Sequence, residues 1–484
     1  MMLSAVLFLF TTSISWAQTG GSENALCDSM RPRFERRLSR QTDSRARPGN
    51  HAALLIDGVQ AFERRLELIE DAELILIKTY IWSDDVIGRQ IATALQRRAR
   101  EGATVIVQYD IKGSLGGREE LKQMRASASD GALFAHKPIM AELEAAGVTV
   151  VATNLPGRPE PLDPLAERHT ERHTAPDMLP QDLDLDTLKD LGHFDHEKYW
   201  ITGHRQPDDS LLLTGIMGGM NIASEYAYGG TMEVDPETGR GGWRDTDVEL
   251  RGPVVNDIVE RFFQVLTHNL DAPLEAIDLE RWNPPQHPAG EARVRFVWSQ
   301  PSVGQRHTIE RAYRMWMRAT PPGQAIQLEV AYFAPSPRLH KTLRRAVLRG
   351  TDLVLITNSQ ATMDVPFVAA ASRAEFRRLL RLSPEAALYE WQVLPGWETL
   401  HSKVAAFGDC GPVIVGSSNL DGLSIERNSE SIVLIEDAAL RAEFQAIFGR
   451  DLDLAEPVDI EALAAPVWVR SFEWMIIRFG WFLL

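Results

Sequence analysis

The chain has 484 residues, 44% hydrophobic and 24% charged, which excludes global disorder and allows two core-bearing units or one large pseudo-symmetric one. A formal net charge of −16 opposes the basic, counterion-displacing surface that nucleic-acid binding draws on, so no nucleic-acid partner is expected and a nuclease is the weaker reading. Two cysteines, Cys27 and Cys410, exclude a disulfide framework; unpaired residues are expected, with one bridge conceivable in an exported chain.

The uncharged apolar run Leu3 to Trp16, followed by Ala17, predicts a signal peptide over residues 1–17. It is too short to span a bilayer comfortably, as a secretory segment is, so the chain is expected to be exported, periplasmic and membrane-associated; the missing Lys or Arg before it leaves an uncleaved N-terminal anchor open. Residues 18–50 follow as an arginine-rich linker, with seven arginines between Arg31 and Arg47. A helix over Gly58 to Glu70 then leads into the strand Leu74 to Ile77, an amphipathic helix near Ile87 to Arg100, and a strand at Val105 to Val107.

Pro156 to Asp195 is irregular and rich in Pro, Asp and His, and is read as a mobile surface loop that could roof a site. His169 and His173 have a spacing that fits a metal on one helical face, but the nearby prolines and missing cysteine partner argue against it, so no metal site is expected. The order of elements then recurs. A helix near Thr308 to Arg318, strand Ile326 to Phe333, helix Leu339 to Arg349 and strand Leu353 to Ile356 follow. Apolar strands alternating with helices imply sheets covered on both faces, and the recurrence implies internal duplication, with units over 51–272 and 290–455. The aromatic tail 466–484 is interrupted by Arg470, Glu473 and Arg478, which favours a helix lying at a membrane interface, with packing on the core as the alternative.

The chemistry-bearing signal is a doubled constellation. His196-Glu197-Lys198 precedes Gly218-Gly219-Met220-Asn221, and His401-Ser402-Lys403 precedes Gly416-Ser417-Ser418-Asn419. Singly, such a histidine is a satisfied core residue, the lysine a solvated charge, and the asparagine a helix cap. Two copies need the same coincidence twice. A phosphodiester is anionic, so Lys198 and Lys403 would offset charge on its oxygens while Asn221 and Asn419 add neutral donors. A histidine can attack through a ring nitrogen or, when protonated, act as acid for a departing alkoxide, with no metal or cofactor.

The constellation resembles the phospholipase D superfamily. Further islands bring it near bacterial cardiolipin synthases: Tyr80-Ile81-Trp82 with Asp84-Asp85, Glu225-Tyr226, Thr357-Asn358-Ser359 with Asp364-Val365-Pro366, and Leu420-Asp421. The resemblance implies an α/β fold of two pseudo-symmetric phospholipase D-like domains, each a mixed sheet flanked by helices, with the active site at their interface. It implies His196 as nucleophile and His401 as acid and then base. Each histidine needs a carboxylate on its other nitrogen. Glu430 has the family's spacing after Asn419, and Asp245 fits the segment Trp243-Arg244-Asp245-Thr246-Asp247, with Glu233 and Asp247 as rivals. One departure stands out: where the family motif carries an aspartate, this chain has Gly203 and Gly408. The implied substrate is a phospholipid at a membrane surface, phosphatidylglycerol above all, joined into cardiolipin. Transfer to an alcohol rather than to water rests on the resemblance alone. Hydrolysis by a phospholipase D, and lipid binding by a homologue with a degenerate site, stay open.

Overall fold

The unbroken apolar runs that suggest buried strands form them: β2 (Leu74–Thr79) is buried along its whole length. The computed structural model describes residues 23–114, 137–154, 193–234, 241–270 and 278–461, with single positions 236, 239 and 463. The expected signal peptide, His169, His173 and the aromatic tail lie outside the described residues. By contacts the chain divides into a unit ending at Arg37, whose described part is helical, and a unit from Leu38 onward.

From Glu23 onward the stretch expected as a linker is helix and then strand. Arginine is a good helix former, and the helix Glu23–Thr42 takes up most of these arginines, burying Leu38 and Thr42 one turn apart. Its polar sequel opens β1 (Ala46–Ile56), where Arg47 pairs with Asp257 at 2.7 Å. The first sheet strand therefore begins before residue 51. Cys410 is disulfide-bonded, so of the two readings of the cysteines the single bridge holds and the unpaired one does not.

In the first half follow β3 (Thr104–Asp110), β4 (Thr149–Thr153), β5 (Tyr199–Arg205), β6 (Leu211–Gly218), β7 (Trp243–Arg244) and β8 (Thr246–Arg251). The second half contributes β9 (Ala292–Ser299), β10 (Ala325–Val330), β11 (Asp352–Asn358), β12 (Ala387–Trp391), β13 (Thr399–Leu400), β14 (Lys403–Phe407), β15 (Val413–Gly416), β16 (Glu430–Glu436) and β17 (Glu456–Pro457). Among the described residues fifteen strands form one sheet, ordered β17-β12-β11-β10-β14-β15-β16-β9-β1-β8-β6-β5-β2-β3-β4. Read outward from the central pair, β1-β8-β6-β5-β2-β3-β4 repeats as β9-β16-β15-β14-β10-β11-β12. This is the pseudo-symmetry the duplication implies. β1 joins the halves by pairing with β9 through its first residues and with β8 through His51 to Ile56.

β2, β3 and β4 run parallel, as do β10, β11 and β12, and parallel neighbours need crossovers. The helices Val86–Arg100 and Pro337–Val347 supply the first crossover of each set. Asp85 caps the former by accepting from Gly88 N at 2.8 Å, and Ser336 caps the latter by accepting from Leu339 N at 3.0 Å. The helix Val254–Leu270 buries Val255, Ile258, Phe262 and Leu266, and Ala438–Leu454 buries Leu440, Phe444 and Phe448 in the same core. No helix among the described residues is long and apolar enough to cross a membrane.

Candidate active site

β5 and β14 run antiparallel to β2 and β10, so the His-x-Lys segments at their starts lie against the C-terminal ends of those strands. Each histidine is then fixed by its backbone. His196 N donates to Ser429 O at 2.8 Å, and His401 N donates to Arg244 O at 2.7 Å. The residue after each of these acceptors is a carboxylate. His196 Nδ1 lies 3.0 Å from both Glu430 oxygens, and His401 Nδ1 lies 2.7 Å from Asp245 Oδ2. The pairing is crossed: each half of the chain supplies the carboxylate for the other half's histidine. Both carboxylates are fully buried, and His196 and His401 are 8% and 6% exposed.

Strand register explains why Asp245 rather than its rivals meets His401. Gly218 stands opposite Asp247, and the equivalent Gly416 stands opposite Ile432. Asp245 therefore holds the place in its half that Glu430 holds in the other. Asp247 is engaged by Arg65 and by Met220 N, and Glu233 is exposed. The small-residue turns follow from the same packing. A Cβ at Gly219 would sit 2.4 Å from Asp245 Oδ1, so only glycine leaves room for the carboxylate. The equivalent Ser417 instead donates its hydroxyl to Glu430 at 2.5 Å.

Lys198 Nζ donates to His196 O at 2.9 Å, and Lys403 Nζ donates likewise to His401 O, so each ammonium is tethered beside its own histidine. The asparagines differ. Asn221 is fully used, accepting from Ile81 N at 3.0 Å and donating to Tyr226 Oη at 2.7 Å. Asn419 is 3% exposed, yet its Oδ1 has no hydrogen-bond partner. Tyr80 meets the His196 ring edge-on with centroids 4.8 Å apart, and Tyr226 meets His401 at 5.1 Å, with Trp243 at 5.3 Å. These contacts join His196, Lys198 and Glu430 to one another, and His401, Lys403, Asp245 and, through Tyr226, Asn221 to one another; Asn419 lies two residues after Ser417, which holds Glu430.

Electrostatics follow from burial. Desolvation holds both imidazoles well below 6.5, and the ammonium groups of Lys198 and Lys403 push them further. A charge on His196 also disfavours one on His401. Burial brings Lys198 down to about 7 and Lys403 to about 8, although the buried carboxylates pull them back up. Burial raises Asp245 to about 6, against the pull of Lys403, and Glu430 to about 8, against that of Lys198. A bound phosphodiester anion would favour the charged form of the two imidazoles and the two lysines. The arrangement can therefore hold a phosphate with two ammonium groups while presenting two imidazoles whose Nδ1 atoms are already occupied.

Gly203 and Gly408 stand away from this chemistry. Gly203 lies far along β5, roughly 20 Å of strand from His196 at ~3.3 Å per residue. Its Cβ would press Leu74 and Leu211 at 3.1 Å. Gly408 has φ +52°, and its Cβ would strike Gln324 Oε1, which accepts from Asp409 N at 3.0 Å. Both positions are packed around glycine.

Several residues not singled out for the site help build it. Arg244, fully buried, donates to Asp451 Oδ2 at 2.7 Å and to Asp245 O at 2.6 Å, bracing the segment that carries Asp245. Asp57 accepts from Asp245 N at 3.2 Å and from Trp397 Nε1 at 3.0 Å. Glu197, between His196 and Lys198, is buried against Arg261, which also donates to Gln300 Oε1 at 2.7 Å. These contacts join distant parts of the chain, and a local motif carries no sign of them.

Residues 317–452 match the family model described as the phospholipase D-like domain of cardiolipin synthase. Cardiolipin synthase B of Salmonella typhimurium is 29% identical over 433 residues, covering 87% of this chain and 85% of that protein. Cardiolipin synthase B of Escherichia coli K12 is 28% identical over 435 residues, with the same shares. The crystal structure of phosphatidylserine synthase from Haemophilus influenzae superposes with a TM-score of 0.61 at 12% identity, covering 93% of this chain and all of that one, a likeness of fold.

Proposed function

We propose, from the premise that this chain belongs to the phospholipase D superfamily and resembles the bacterial cardiolipin synthases, that it transfers a phosphatidyl group between phospholipid alcohols through a phosphohistidine. The observation that carries the reading is the crossed pairing. With Nδ1 of His196 held by Glu430 and Nδ1 of His401 held by Asp245, both imidazoles are oriented with Nε2 as the reactive nitrogen.

In the first step, His196 Nε2 attacks phosphorus and the bond to the headgroup oxygen breaks. His401, protonated once the anion is bound, gives its proton to that oxygen. Lys198 and Lys403 offset the charge on the non-bridging oxygens. In the second step, His401 takes the proton of an incoming lipid hydroxyl, whose oxygen attacks phosphorus as the phosphorus–nitrogen bond breaks. With phosphatidylglycerol as donor and acceptor, the products are cardiolipin and glycerol. Asp245 keeps its place through both steps by holding the imidazolium of His401.

Supplying phosphatidylglycerol alone to the purified protein tests this reading. Cardiolipin and glycerol in equal amounts are the expected products. Phosphatidic acid and glycerol would make it a hydrolase, and no turnover would leave a lipid-binding homologue. We further place the protein outside the cytoplasm at a membrane surface, exported by its apolar leader. A mature N-terminus beginning just after Ala17 is expected; a retained Met1 would replace cleavage with an uncleaved anchor, and recovery of the protein in the cytoplasmic fraction would overturn export.

A further inference from the structure

One carboxylate at the mouth of the site has no part in the chemistry above. Tyr332 follows β10 and is fixed on both sides by site segments: Ala331 N donates to Ser402 O at 3.0 Å, and Leu420 N donates to Tyr332 O at 3.2 Å. Its side chain thus emerges between the second His-x-Lys and the Asn419 turn. Tyr332 Oη donates to Asp364, lying 2.7 Å from Oδ1 and 2.6 Å from Oδ2. Asp364 is exposed, on the loop after the C-terminal end of β11, the end at which open sheets of parallel strands present their ligand sites. Its charge is felt at three site residues, Lys403, Tyr80 and Tyr226.

An exposed carboxylate is an adverse neighbour for a bound phosphate unless it is needed for something else. Exposed and held by one hydroxyl, it has acceptor capacity to spare, and as a carboxylate it is a pure acceptor. A group that donates hydrogen bonds without adding negative charge suits it, and a headgroup bearing a carboxylate does not. An ammonium headgroup would gain from Asp364 but meet Lys198 and Lys403 close by. A neutral polyol meets no such opposition.

We propose that Asp364, positioned by Tyr332, is a specificity-determining residue that accepts hydrogen bonds from the hydroxyls of a glycerol headgroup. This inference rests on the phosphatidyl-transfer reading and adds the choice of headgroup to it. Site polar groups built to bind a substrate hydroxyl discriminate strongly against analogues that lack it, because the group is then left unpaired.

The test compares headgroup release from short-chain, soluble phosphatidylglycerol, phosphatidylethanol and phosphatidylethanolamine, each with the same excess of butan-1-ol as acceptor, by the wild type, Asp364→Asn and Tyr332→Phe. The readout is the ratio of kcat/KM for glycerol over ethyl headgroups, which is insensitive to the amount of folded enzyme. Asp364→Asn should lower that ratio about tenfold or more, and Tyr332→Phe should lower it by a smaller factor in the same direction. An unchanged ratio in Asp364→Asn overturns the assignment, and so does a loss confined to ethanolamine, which would mean recognition of an ammonium group. A wild type that turns over none of the three lipids removes the phosphatidyl-transfer reading and this inference together. A wild type active on them with no change of ratio removes the inference alone.

Discussion

The two halves of the sheet share a strand order, a His-x-Lys and an asparagine turn, yet their half-sites are not copies. In the first, the residue between His196 and Lys198 is Glu197, buried against Arg261; in the second it is Ser402, whose hydroxyl donates to Thr246 Oγ1 at 3.1 Å. Asn221 spends its amide on Ile81 and Tyr226, whereas Asn419 keeps Oδ1 unpaired. The carboxylate facing His401 is raised to about 6 and the one facing His196 to about 8, burial being the main cause of both. Asp245 is thus the readier anion near neutral pH, which suits a partner for the imidazolium form. Duplication accounts for the matching positions, and under the proposed mechanism divergence at neighbouring residues is what sets the nucleophile apart from the acid.

The sharpest break of that comparison is removal of either histidine. His196→Ala should lose about 10⁴-fold or more in turnover on every substrate, since no other nucleophile stands in. His401→Ala should lose a factor of about 10²–10⁴ with a poor leaving group and recover much of it with a good one, which needs little protonation. If His196→Ala stays within about tenfold of the wild type, a change of only ~1.4 kcal/mol, the assignment of roles is wrong. Next in size is Asp245→Asn, which should cost about 10²–10⁴-fold in turnover, by leaving the His401 imidazolium without its anion. Steady-state rates with near-native circular dichroism would check it, and a loss below tenfold would remove Asp245 from the mechanism.

The asparagines sharpen the comparison further. Asn419→Ala should reduce kcat/KM by about ten- to a hundredfold while leaving the melting temperature nearly unchanged, because no hydrogen bond seen in the structure is lost from its Oδ1. Asn221→Ala should also lower the melting temperature, since Ile81 N and Tyr226 Oη each lose a partner at about 1–3 kcal/mol per buried group. Equal thermal shifts in the two variants would contradict the division.

The pH profile carries the smallest expected effect. Lys198 and Lys403 must be charged to hold phosphate, so kcat/KM should fall as pH rises through about 7 to 8, the values burial gives them. His196 must be neutral to attack, and its lowered value moves the acid limb well below 6.5. Lys198→Arg keeps its charge across this range and should move the alkaline limb up towards the Lys403 value of about 8. An unmoved limb would assign it elsewhere.

Much of this was legible in the sequence where short-range pattern and doubled spacing coincide. Apolar runs marked β2 and β11, and the repeated His-x-Lys with its small-residue turn marked six of the eight site residues. Glu430 needed the family spacing and Asp245 the likeness of the segment Trp243 to Asp247, because a carboxylate's partner across the chain leaves no local trace. β1 was hidden by its polar opening, whose Arg47 is used at the surface by Asp257. Arg244, Asp57 and the Tyr332–Asp364 contact were illegible for the same reason as the crossed pairing. Register, not composition, brings them together.

The central claim is that His196 carries the phosphatidyl group. Mixing His401→Ala with a short-chain phosphatidyl p-nitrophenol ester, then quenching and mapping peptides by mass spectrometry, tests it most directly, because the variant lacks the base that would pass the group to an alcohol. The account predicts a burst of about one p-nitrophenol per enzyme and a phosphatidyl adduct on His196. An adduct on any other residue, or continued release of p-nitrophenol with no adduct, would contradict it.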